Sequence, residues 1–429
     1  MSARGAVEGG HRPHDDPAEL VALADYRREV LGRIGPLEAI ELRLLEAHGS
    51  VLAEDVVASA PVPGFANSAM DGYAVRSDDA AAGVALDVVG EVAAGSPELP
   101  PVGPRHAVRI MTGAPMPPGA DAVVPVEDVE EGDGQVRLRS GVAPGACVRL
   151  AGEDVTEGDT VLEVGRRLGP ADIGMLAAVG RALVRVHPRP RVAVISTGDE
   201  LVEPGQPLRP GQIRDANSYA LTALAREAGA TAFRQSIVPD DRRALLEAFE
   251  GALSHADLLV TSGGVSAGRY DLVKQVLAEL GDVAFTKVAM RPGMPQAFGF
   301  LAGTTHQGAP IPCFGLPGNP VSAYVSFEVF VRPAIRRMQG RTDLNRLRVQ
   351  AVVETELRSP PDKVEFVRVV LRHTPNGWVA RPTGAQGSGI LRSVVDADGL
   401  AEVPAGHTLV RQGEPLVVHL LVEHPGAGQ

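Results

Sequence analysis

The strongest constraint in this sequence is a glycine-rich loop that follows an apolar run. Residues Asp257–Thr261 form a short run typical of a buried strand, and it opens directly into Ser262, Gly263 and Gly264. Adjacent glycines let backbone N–H groups approach a ligand closely, and the helix predicted behind them adds the positive end of a dipole. We therefore predict an anion-binding loop at the end of a strand.

Two further segments repeat this design. Val192–Ile195 leads into a loop with Gly198, and Ile311–Gly315 leads through a second glycine loop into a helical stretch. Asn319 suits the N-cap of that helix, and Pro320 suits its first position, where the missing N–H costs nothing. Because open α/β sheets bind ligands at the carboxyl ends of their strands, these ends predict one shared crevice.

The composition indicates a multidomain globular chain. A chain of 429 residues is too long for a single hydrophobic core. At roughly 100–200 residues per domain, this length predicts two to four domains. The net charge of −12 argues against sequence-independent nucleic-acid binding. Cys147 and Cys313 lie outside any CxxC pattern, so neither a disulfide framework nor a zinc site is supported. With no apolar leader and no apolar run of about 18 residues, we expect a cytoplasmic protein without a membrane span.

Changes of pattern along the chain predict a multidomain α/β fold. Apolar positions at helical spacing alternate with β-rich stretches, and one long segment alternates strands with helices, which is typical of a doubly wound parallel sheet. The expected parts are a disordered tail at 1–16, a helical and mixed domain at 17–58 and 151–187, a β-rich domain at 59–150, the doubly wound sheet domain at 188–341, and a small barrel-like β-domain at 345–424.

Several carboxylates follow predicted strands of the sheet domain. Glu200, Asp240 and Asp271 can all face one crevice, and clustered carboxylates beside substrate phosphates are typical of a Mg²⁺ site. Taken singly, the two aspartates could equally be helix N-caps and the glutamate a solvated loop charge. Lys287 and Arg291 flank the end of another strand, where they would supply positive charge or form a solvated strand edge.

The segment Gly264–Gly268 also matches the G-x-S-x-G pattern of serine hydrolases, with Ser266 as the nucleophile. A nucleophile elbow enters its helix directly after the serine, whereas this loop continues through Arg269. The His-Gly-Gly-Gly segment of such enzymes is missing as well. The pattern therefore favours an anion-binding loop, with a hydrolase as an alternative.

Five motifs occur in an order that resembles a known family. They are Asn67–Ala74, Met111–Ala114 with Pro118–Asp121, Ser196–Leu201, Ser262–Ser266, and Leu316–Ser322. Taken by composition alone, the first two are turns without an assignable role. Together the five resemble the MoeA/gephyrin E-domain family of molybdopterin molybdenumtransferases, and the resemblance covers about residues 20 to 420.

This resemblance implies an elongated homodimer of four-domain subunits. The active site would lie in a cleft between the molybdopterin-binding sheet domain of one subunit and the β-rich domain of the other. The implied reaction inserts molybdate into adenylylated molybdopterin, with Mg²⁺-dependent release of AMP. The implied protein partners are the molybdopterin adenylyltransferase and molybdoenzyme apoproteins. A pyrophosphate-linked substrate requires N–H cradles and a metal, so the predicted loops agree with this chemistry.

The resemblance also implies roles for particular residues. Asp71 and Thr112 would enter the cleft from the partner subunit and act in catalysis. Glu200, Asp240 and Asp271 would form the catalytic acidic cluster that holds Mg²⁺. The residues implied to bind the cofactor are Arg149, Asp154, Gly198, Ser262, Gly263, Gly264, Ser266, Lys287, Arg291, Pro317, Gly318, Asn319, Pro320, Arg368 and Ser388.

One segment departs from the family pattern. Where many relatives read Lys-Pro-Gly-Lys-Pro, this chain carries Arg291 and Met294 at the two lysine positions. The arginine keeps a charge in a planar geometry, but the methionine removes one, which would weaken molybdate binding or mark a specialised paralogue. Two alternatives stay open: a non-catalytic dimeric scaffold that binds a cytoskeletal or receptor peptide, and tungstate in place of molybdate. The complete set of acidic residues favours an enzyme.

Overall fold

The computed structural model describes residues 20–264, 272–304 and 309–422. By its internal contacts the chain divides into two compact units. One unit is residues 40–186, and the other joins the residues before 40 to those from 187 onward. The predictions for Ser266, for Asp271 and for a tail at 1–16 lie outside the described residues.

The helices of the described residues are mostly short. They are α1 (Leu23–Gly32), α2 (Leu44–Ala47), α3 (Pro170–Ala178), α4 (Asn217–Glu227), α5 (Arg242–Leu253), α6 (Leu272–Leu280), α7 (Pro320–Ser326), α8 (Arg332–Met338) and α9 (Arg392–Val395), with a π-helical turn at Phe327–Val331 and 3₁₀ turns at Ser77–Asp79 and Val126–Asp128. Each of these helices is too short or too polar to span a bilayer.

The strands fall into two series along the chain. The first series is β1 (Ile40–Arg43), β2 (Val51–Leu52), β3 (Val56–Val57), β4 (Asn67–Ser68), β5 (Gly72–Val75), β6 (Ala85–Val92), β7 (His106–Ile110), β8 (Ala122–Pro125), β9 (Val129–Gly132), β10 (Gln135–Leu138), β11 (Val148–Arg149), β12 (Thr160–Leu162) and β13 (Leu183–His187). The second series is β14 (Arg191–Ser196), β15 (Leu201–Val202), β16 (Ile213–Arg214), β17 (Thr231–Arg234), β18 (Leu258–Ser262), β19 (Gly281–Lys287), β20 (Met290–Arg291), β21 (Pro295–Thr304), β22 (Pro310–Leu316), β23 (Arg348–Val353), β24 (Leu357–Arg358), β25 (Val364–Thr374), β26 (Gly377–Pro382), β27 (Gly399–Val403), β28 (Leu409–Val410) and β29 (Pro415–Leu420).

The unit of residues 40–186 is built mainly from β-structure. Its largest sheet has six strands in the order β8-β5-β7-β6-β10-β9. Tyr73, Leu86 and Val136 are buried in the core beneath that sheet. A smaller sheet, β1-β13-β2, shares a core with α3 through Leu52 and Leu176. This architecture confirms the expected β-rich component beside a mixed one.

The unit that continues from residue 187 contains the expected doubly wound sheet. Its strand order is β17-β14-β18-β22-β21-β19, in which the first four strands are parallel and the last two antiparallel. Alternate residues of β14 enter different cores, because successive side chains of a strand point to opposite faces. Val194 belongs to the core that contains Leu221 of α4, whereas Ile195 belongs to the core that contains Phe249 of α5. Helices therefore cover both faces, and the predicted fold is confirmed.

The C-terminal strands close into a barrel. They follow the order β25-β26-β23-β29-β27, and a further pairing between β25 and β27 completes a ring of five strands. In that pairing Arg368 lies opposite Leu400. Val369, Leu371 and Val418 are buried in its core. The expected barrel-like domain is thus confirmed.

Helix α1 packs with the α/β unit, although we expected residues 17–58 to form one domain. Tyr26 and Val30 are buried in the core that also contains sheet residues. The ring of Tyr26 meets that of Phe330 edge-on, with centroids 5.1 Å apart. Leu37 also donates its backbone N–H to Met338 O at 2.8 Å. An apolar helical stripe shows that a helix is covered, but it does not specify which core covers it.

A buried ion pair network occupies the π-helical turn. Glu328 is 7% exposed, and the guanidinium groups of Arg332 and Arg346 each donate two hydrogen bonds to its carboxylate, at 2.7–3.0 Å. Burial works to raise the pKa of Glu328, but these two arginines hold it below its usual range. Four charge-assisted bonds to one buried carboxylate bind the end of α7 to the chain that leads into the barrel.

Candidate active site

Three strand ends of the α/β sheet meet at one edge. Ser196 at the end of β14 is paired with Ser262 at the end of β18, and Ser262 is paired with Leu316 at the end of β22. The N–H of Gly263 donates to Leu316 O at 3.1 Å. The three loops predicted from the sequence to form a crevice are therefore neighbours in the structure.

Glycine is required at two points of these loops. Gly198 has φ +146° and Gly264 has φ +72°, both in the region that side chains with a Cβ rarely adopt. A Cβ on Gly198 would lie 2.4 Å from Glu200 Oε2, and one on Gly264 would lie 2.5 Å from the side chain of Val273. A larger residue would fit at either position only if the side chain of Glu200 or of Val273 shifted. Glycine therefore lets each loop pack closely against that side chain.

Three acidic residues, Asp199, Glu200 and Asp240, form an acidic group beside these loops. Asp199 Oδ1 accepts the backbone N–H of Asp240 at 3.0 Å. Partial burial and then the negative charges of Asp199 and Glu200 raise the pKa of Asp240. The N-cap of α5 is Asp241, which accepts from Ala244 N at 2.9 Å. The prediction that Asp240 caps this helix is therefore wrong. Its carboxylate instead lies near those of Asp199 and Glu200.

The donor set of this group fits a hard cation. Within residues 20–264, 272–304 and 309–422, no three acidic, histidine or cysteine side chains are arranged to bind a metal. Mg²⁺ does not require three protein ligands, because it keeps several waters and usually binds through one or two carboxylates and substrate phosphates. A carboxylate whose pKa is raised by neighbouring negative charges, as that of Asp240 is, would be stabilised in its ionised form by such an ion. Asp271, the third expected ligand, lies outside the described residues.

The loop that begins α7 has the predicted capping residues. Asn319 is the N-cap and Pro320 is the first helical residue, as expected. The Asn319 amide donates to Ser388 Oγ at 3.2 Å rather than to its own helix. The N–H of Val321 donates to Ser388 O at 3.0 Å. Ser388, predicted from the C-terminal domain, therefore contacts the loop that carries Pro317 and Gly318.

Arg368 lies beneath that contact instead of in an open cleft. It is 1% exposed, and burial lowers the pKa of its guanidinium to about 10. Its side chain donates to Ser393 Oγ at 3.2 Å, to Phe366 O at 3.1 Å and to Gly387 O at 3.5 Å. The guanidinium thus supports the loop that carries Ser388. We expected it to approach the ligand, and the sequence contained no sign of this burial.

The positive residues near β19 and β20 have different surroundings. Lys287 ends β19 opposite Pro295. Arg291 is exposed, and its Nε lies 3.4 Å from Oε1 of the buried Glu365 on the neighbouring strand β25. Met294 is half-buried. The charge of Arg291 is therefore shared with a carboxylate, and position 294 contributes none.

The unit of residues 40–186 brings Asp71 and Thr112 together. Asp71 Oδ1 accepts the backbone N–H of Thr112 at 2.7 Å and its hydroxyl at 2.9 Å. The backbone N–H, then the hydroxyl, lowers the pKa of Asp71. Two donors on one exposed oxygen fix an ionised carboxylate in a set direction.

The other two residues expected from this unit lie on separate segments. Arg149 is exposed on β11, opposite Asn67 of the first motif. Asp154 is also exposed, and its N–H donates to Val62 O at 3.0 Å. Arg149 is thus held beside a motif strand, whereas Asp154 lies on a neighbouring turn.

Sequence reasoning missed the role of Asn217. We expected Asn217 or Ser218 to cap α4, but the N-cap is Ala216, which has no side chain to do so. The Asn217 amide instead donates to Ser262 Oγ at 2.8 Å and to Gly318 O at 2.7 Å. The only sign of Asn217 in the sequence was a run of polar residues before an amphipathic helix. Such a run looks the same whether its residues cap the helix or contact distant loops.

Comparison with protein families decides the classification. Residues 21–180 match the MoeA N-terminal region (domain I and II), residues 193–337 match a probable molybdopterin binding domain, and residues 350–421 match the MoeA C-terminal region (domain IV). Molybdopterin molybdenumtransferase 2 of Mycobacterium tuberculosis is 42% identical over 408 residues, which are 92% of this chain and 98% of the relative. The chain belongs to the MoeA family. The resemblance predicted from the five motifs is therefore confirmed.

Other members of the MoeA family support the same assignment. The molybdopterin molybdenumtransferase of Haemophilus influenzae is 38% identical, with 94% of this chain and 100% of that protein covered. The crystal structure of a MoeA molybdopterin biosynthesis protein from Pyrococcus horikoshii matches with a TM-score of 0.80 and 34% identity, covering 95% of this chain and all of that one. The predicted enzyme class, a molybdopterin molybdenumtransferase of molybdenum cofactor biosynthesis, is confirmed by these relatives.

Proposed function

We propose that this enzyme inserts molybdate into adenylylated molybdopterin, with Mg²⁺-dependent release of AMP. The observation that carries the proposal is the convergence of three glycine loops and an acidic group at one sheet edge. A substrate with a pyrophosphate link requires both backbone donors and a divalent cation. Ser266, the nucleophile of the serine-hydrolase alternative, lies outside the described residues, and the same loops suit tungstate as well as molybdate.

The glycine loops are suited to hold the phosphates of the substrate. These loops follow β14, β18 and β22 at the carboxyl ends of neighbouring parallel strands, which is where open α/β sheets bind their ligands. Ser262 and Asn319 add polar side chains along the same edge. The substrate would be oriented by these groups before any bond breaks, which supplies much of the catalytic effect.

The acidic group is suited to hold Mg²⁺ next to the pyrophosphate. Glu200 and Asp240 would be ligands from the described residues, and Asp271 would be the third. When bound, the ion neutralises negative charge that develops on the departing AMP phosphate.

The residues of the other unit would complete the site from a second subunit. Asp71 and Thr112 form a fixed pair, but they belong to the compact unit that does not contain the acidic group. The proposed homodimer would build each cleft from residues of both subunits. We place the enzyme in the cytoplasm, where its proposed protein partners, the adenylyltransferase and molybdoenzyme apoproteins, would meet it.

The test is release of AMP from adenylylated molybdopterin in the presence of molybdate and Mg²⁺. Asp271→Asn should reduce turnover by about 10²-fold or more, because a metal-facing charge is lost while the shape is kept. Asp241→Asn is the matched control, since asparagine also caps a helix. Unchanged turnover in Asp271→Asn would remove this residue from the metal site. Wild-type protein that releases no AMP would favour the scaffold that binds a peptide.

A further inference from the structure

We propose that the turn Asp215–Ser218, which leads into α4, fixes the three ligand loops relative to one another, and that Asn217 is its central positioning residue. This inference rests on the proposed function, because the loops are those assigned to the substrate. The turn contains no residue of the site predicted from the sequence. Its contacts nevertheless reach each of the three strand ends.

Asn217 joins the loops that follow β18 and β22. An amide nitrogen carries two hydrogens, and Asn217 donates one to Ser262 Oγ at 2.8 Å and one to Gly318 O at 2.7 Å. The two loops are adjacent here, since the N–H of Gly263 donates to Leu316 O at 3.1 Å. One side chain therefore determines the spacing of two backbone segments that face the ligand.

Asp215 attaches the same turn to the end of β14. It is 2% exposed, and its Oδ1 accepts from Ser196 Oγ at 3.1 Å and from Ser218 N at 3.0 Å. Its Oδ2 accepts from the hydroxyl of Ser218. A buried carboxylate with this many donors is expensive to disturb, because each donor would be left without a partner.

These contacts make α4 the common support of the site. Asp215 holds the first strand end, and Asn217 holds the second and third. A change at Asn217 would act through Ser262 and Gly318, so it would alter how well the loops match the substrate rather than remove a reacting group. Small displacements of positioning groups are sufficient to change binding and rate.

The test uses Asn217→Asp, which keeps the size of the side chain but cannot donate to Gly318 O. We expect the Kd for purified molybdopterin to rise on the order of tenfold, the effect of losing one hydrogen bond beside a new charge. Amide hydrogen exchange without ligand should become faster at residues 262–264 and 316–319. This second readout reports the loops directly, independently of catalysis.

Arg226→Gln is the matched control on the same helix. Arg226 donates to Ala232 O at 3.0 Å near the other end of α4, so its loss weakens the helix without contacting the loops. Its Kd and loop exchange should equal those of the wild type. If the control raises the Kd as much as Asn217→Asp does, general destabilisation explains the effect and the inference is overturned.

The outcomes separate this inference from the proposed function. Wild-type protein that does not bind molybdopterin would contradict the function itself. Wild-type binding with an unchanged Kd and unchanged loop exchange in Asn217→Asp would overturn only the inference. If Asn217→Asp does not fold, Asn217→Ser replaces it. The serine retains one donor, so a smaller rise in Kd is expected and wild-type affinity would again overturn the inference.

Discussion

Asp240→Asn should stabilise the metal-free protein and remove its response to Mg²⁺. The carboxylate of Asp240 lies near those of Asp199 and Glu200, and their charges contribute to its raised pKa. Asparagine keeps the shape and removes the charge. The hydrogen bond from the Asp240 backbone to Asp199 Oδ1, at 3.0 Å, does not depend on the side chain and should be retained.

The expected size follows from the exposure of the group. Asp240 is exposed, so solvent screens its repulsion, and each pair of this kind is worth about 0.2–1 kcal/mol. Relief from two neighbours should raise the free energy of unfolding by about 1 kcal/mol, or about 2 °C in melting temperature. Mg²⁺ at about tenfold its Kd would stabilise the wild type by about 1.4 kcal/mol. The order of stability should therefore reverse when Mg²⁺ replaces EDTA.

The assay is calorimetric melting of the wild type and the variant, each with EDTA and with Mg²⁺. Asp241→Asn is the control, because it removes a charge one position away while keeping the N-cap of α5. It should leave the Mg²⁺ response intact. A variant at position 240 that melts lower than the wild type in EDTA would refute the repulsion argument. An undiminished Mg²⁺ response would refute the assignment of Asp240 as a ligand.

Three further predictions concern other parts of the molecule. Met294→Lys should tighten molybdate binding roughly fivefold, with a gain that shrinks as salt is added, whereas an unchanged molybdate dependence would show that position 294 does not contact the anion. Mixed Asp71→Ala and Asp271→Ala subunits should recover about a quarter of wild-type activity, since half the dimers would contain one intact cleft; no recovery despite proven exchange would place both residues in one subunit's site. Glu328→Gln should lower the free energy of unfolding, measured in urea, by about 3 kcal/mol, because it leaves buried arginines without their carboxylate. The control Glu247→Gln, at an exposed position, should lower it by less than about 0.5 kcal/mol, and equal effects of the two variants would contradict the argument.

Local chemistry explains why part of the site could be predicted from the sequence. The positions of Asn319 and Pro320 follow from preferences for the N-cap and the first helical residue, which act within one turn. The glycine loops are similarly local, because a short apolar run followed by glycines determines both a strand end and its close approach to a ligand. The structure confirms the strand ends and the first residues of α7, whereas contact of the glycine loops with a ligand stays a prediction.

Long-range contacts account for what sequence reasoning did not find. Asn217 reaches partners 45 and 101 residues away, so no local pattern distinguishes it from a capping residue. Asp240 and Asp241 can both accept a helix N–H, and only the backbone direction selects the second. Arg368 is a typical anion-binding residue type, but its burial depends on how β25 packs in the closed barrel.

The ring of β25, β26, β23, β29 and β27 has a consequence for recognition by other proteins. A strand at the edge of an open sheet offers unpaired N–H and C=O groups, and extended peptides often bind by adding themselves to it. In this ring the pairing of β25 with β27 gives each of the five strands two neighbouring strands. A polypeptide that docks on the ring would therefore contact its loops and outward-facing side chains. Selection among docking proteins would then depend on side-chain chemistry instead of backbone pairing.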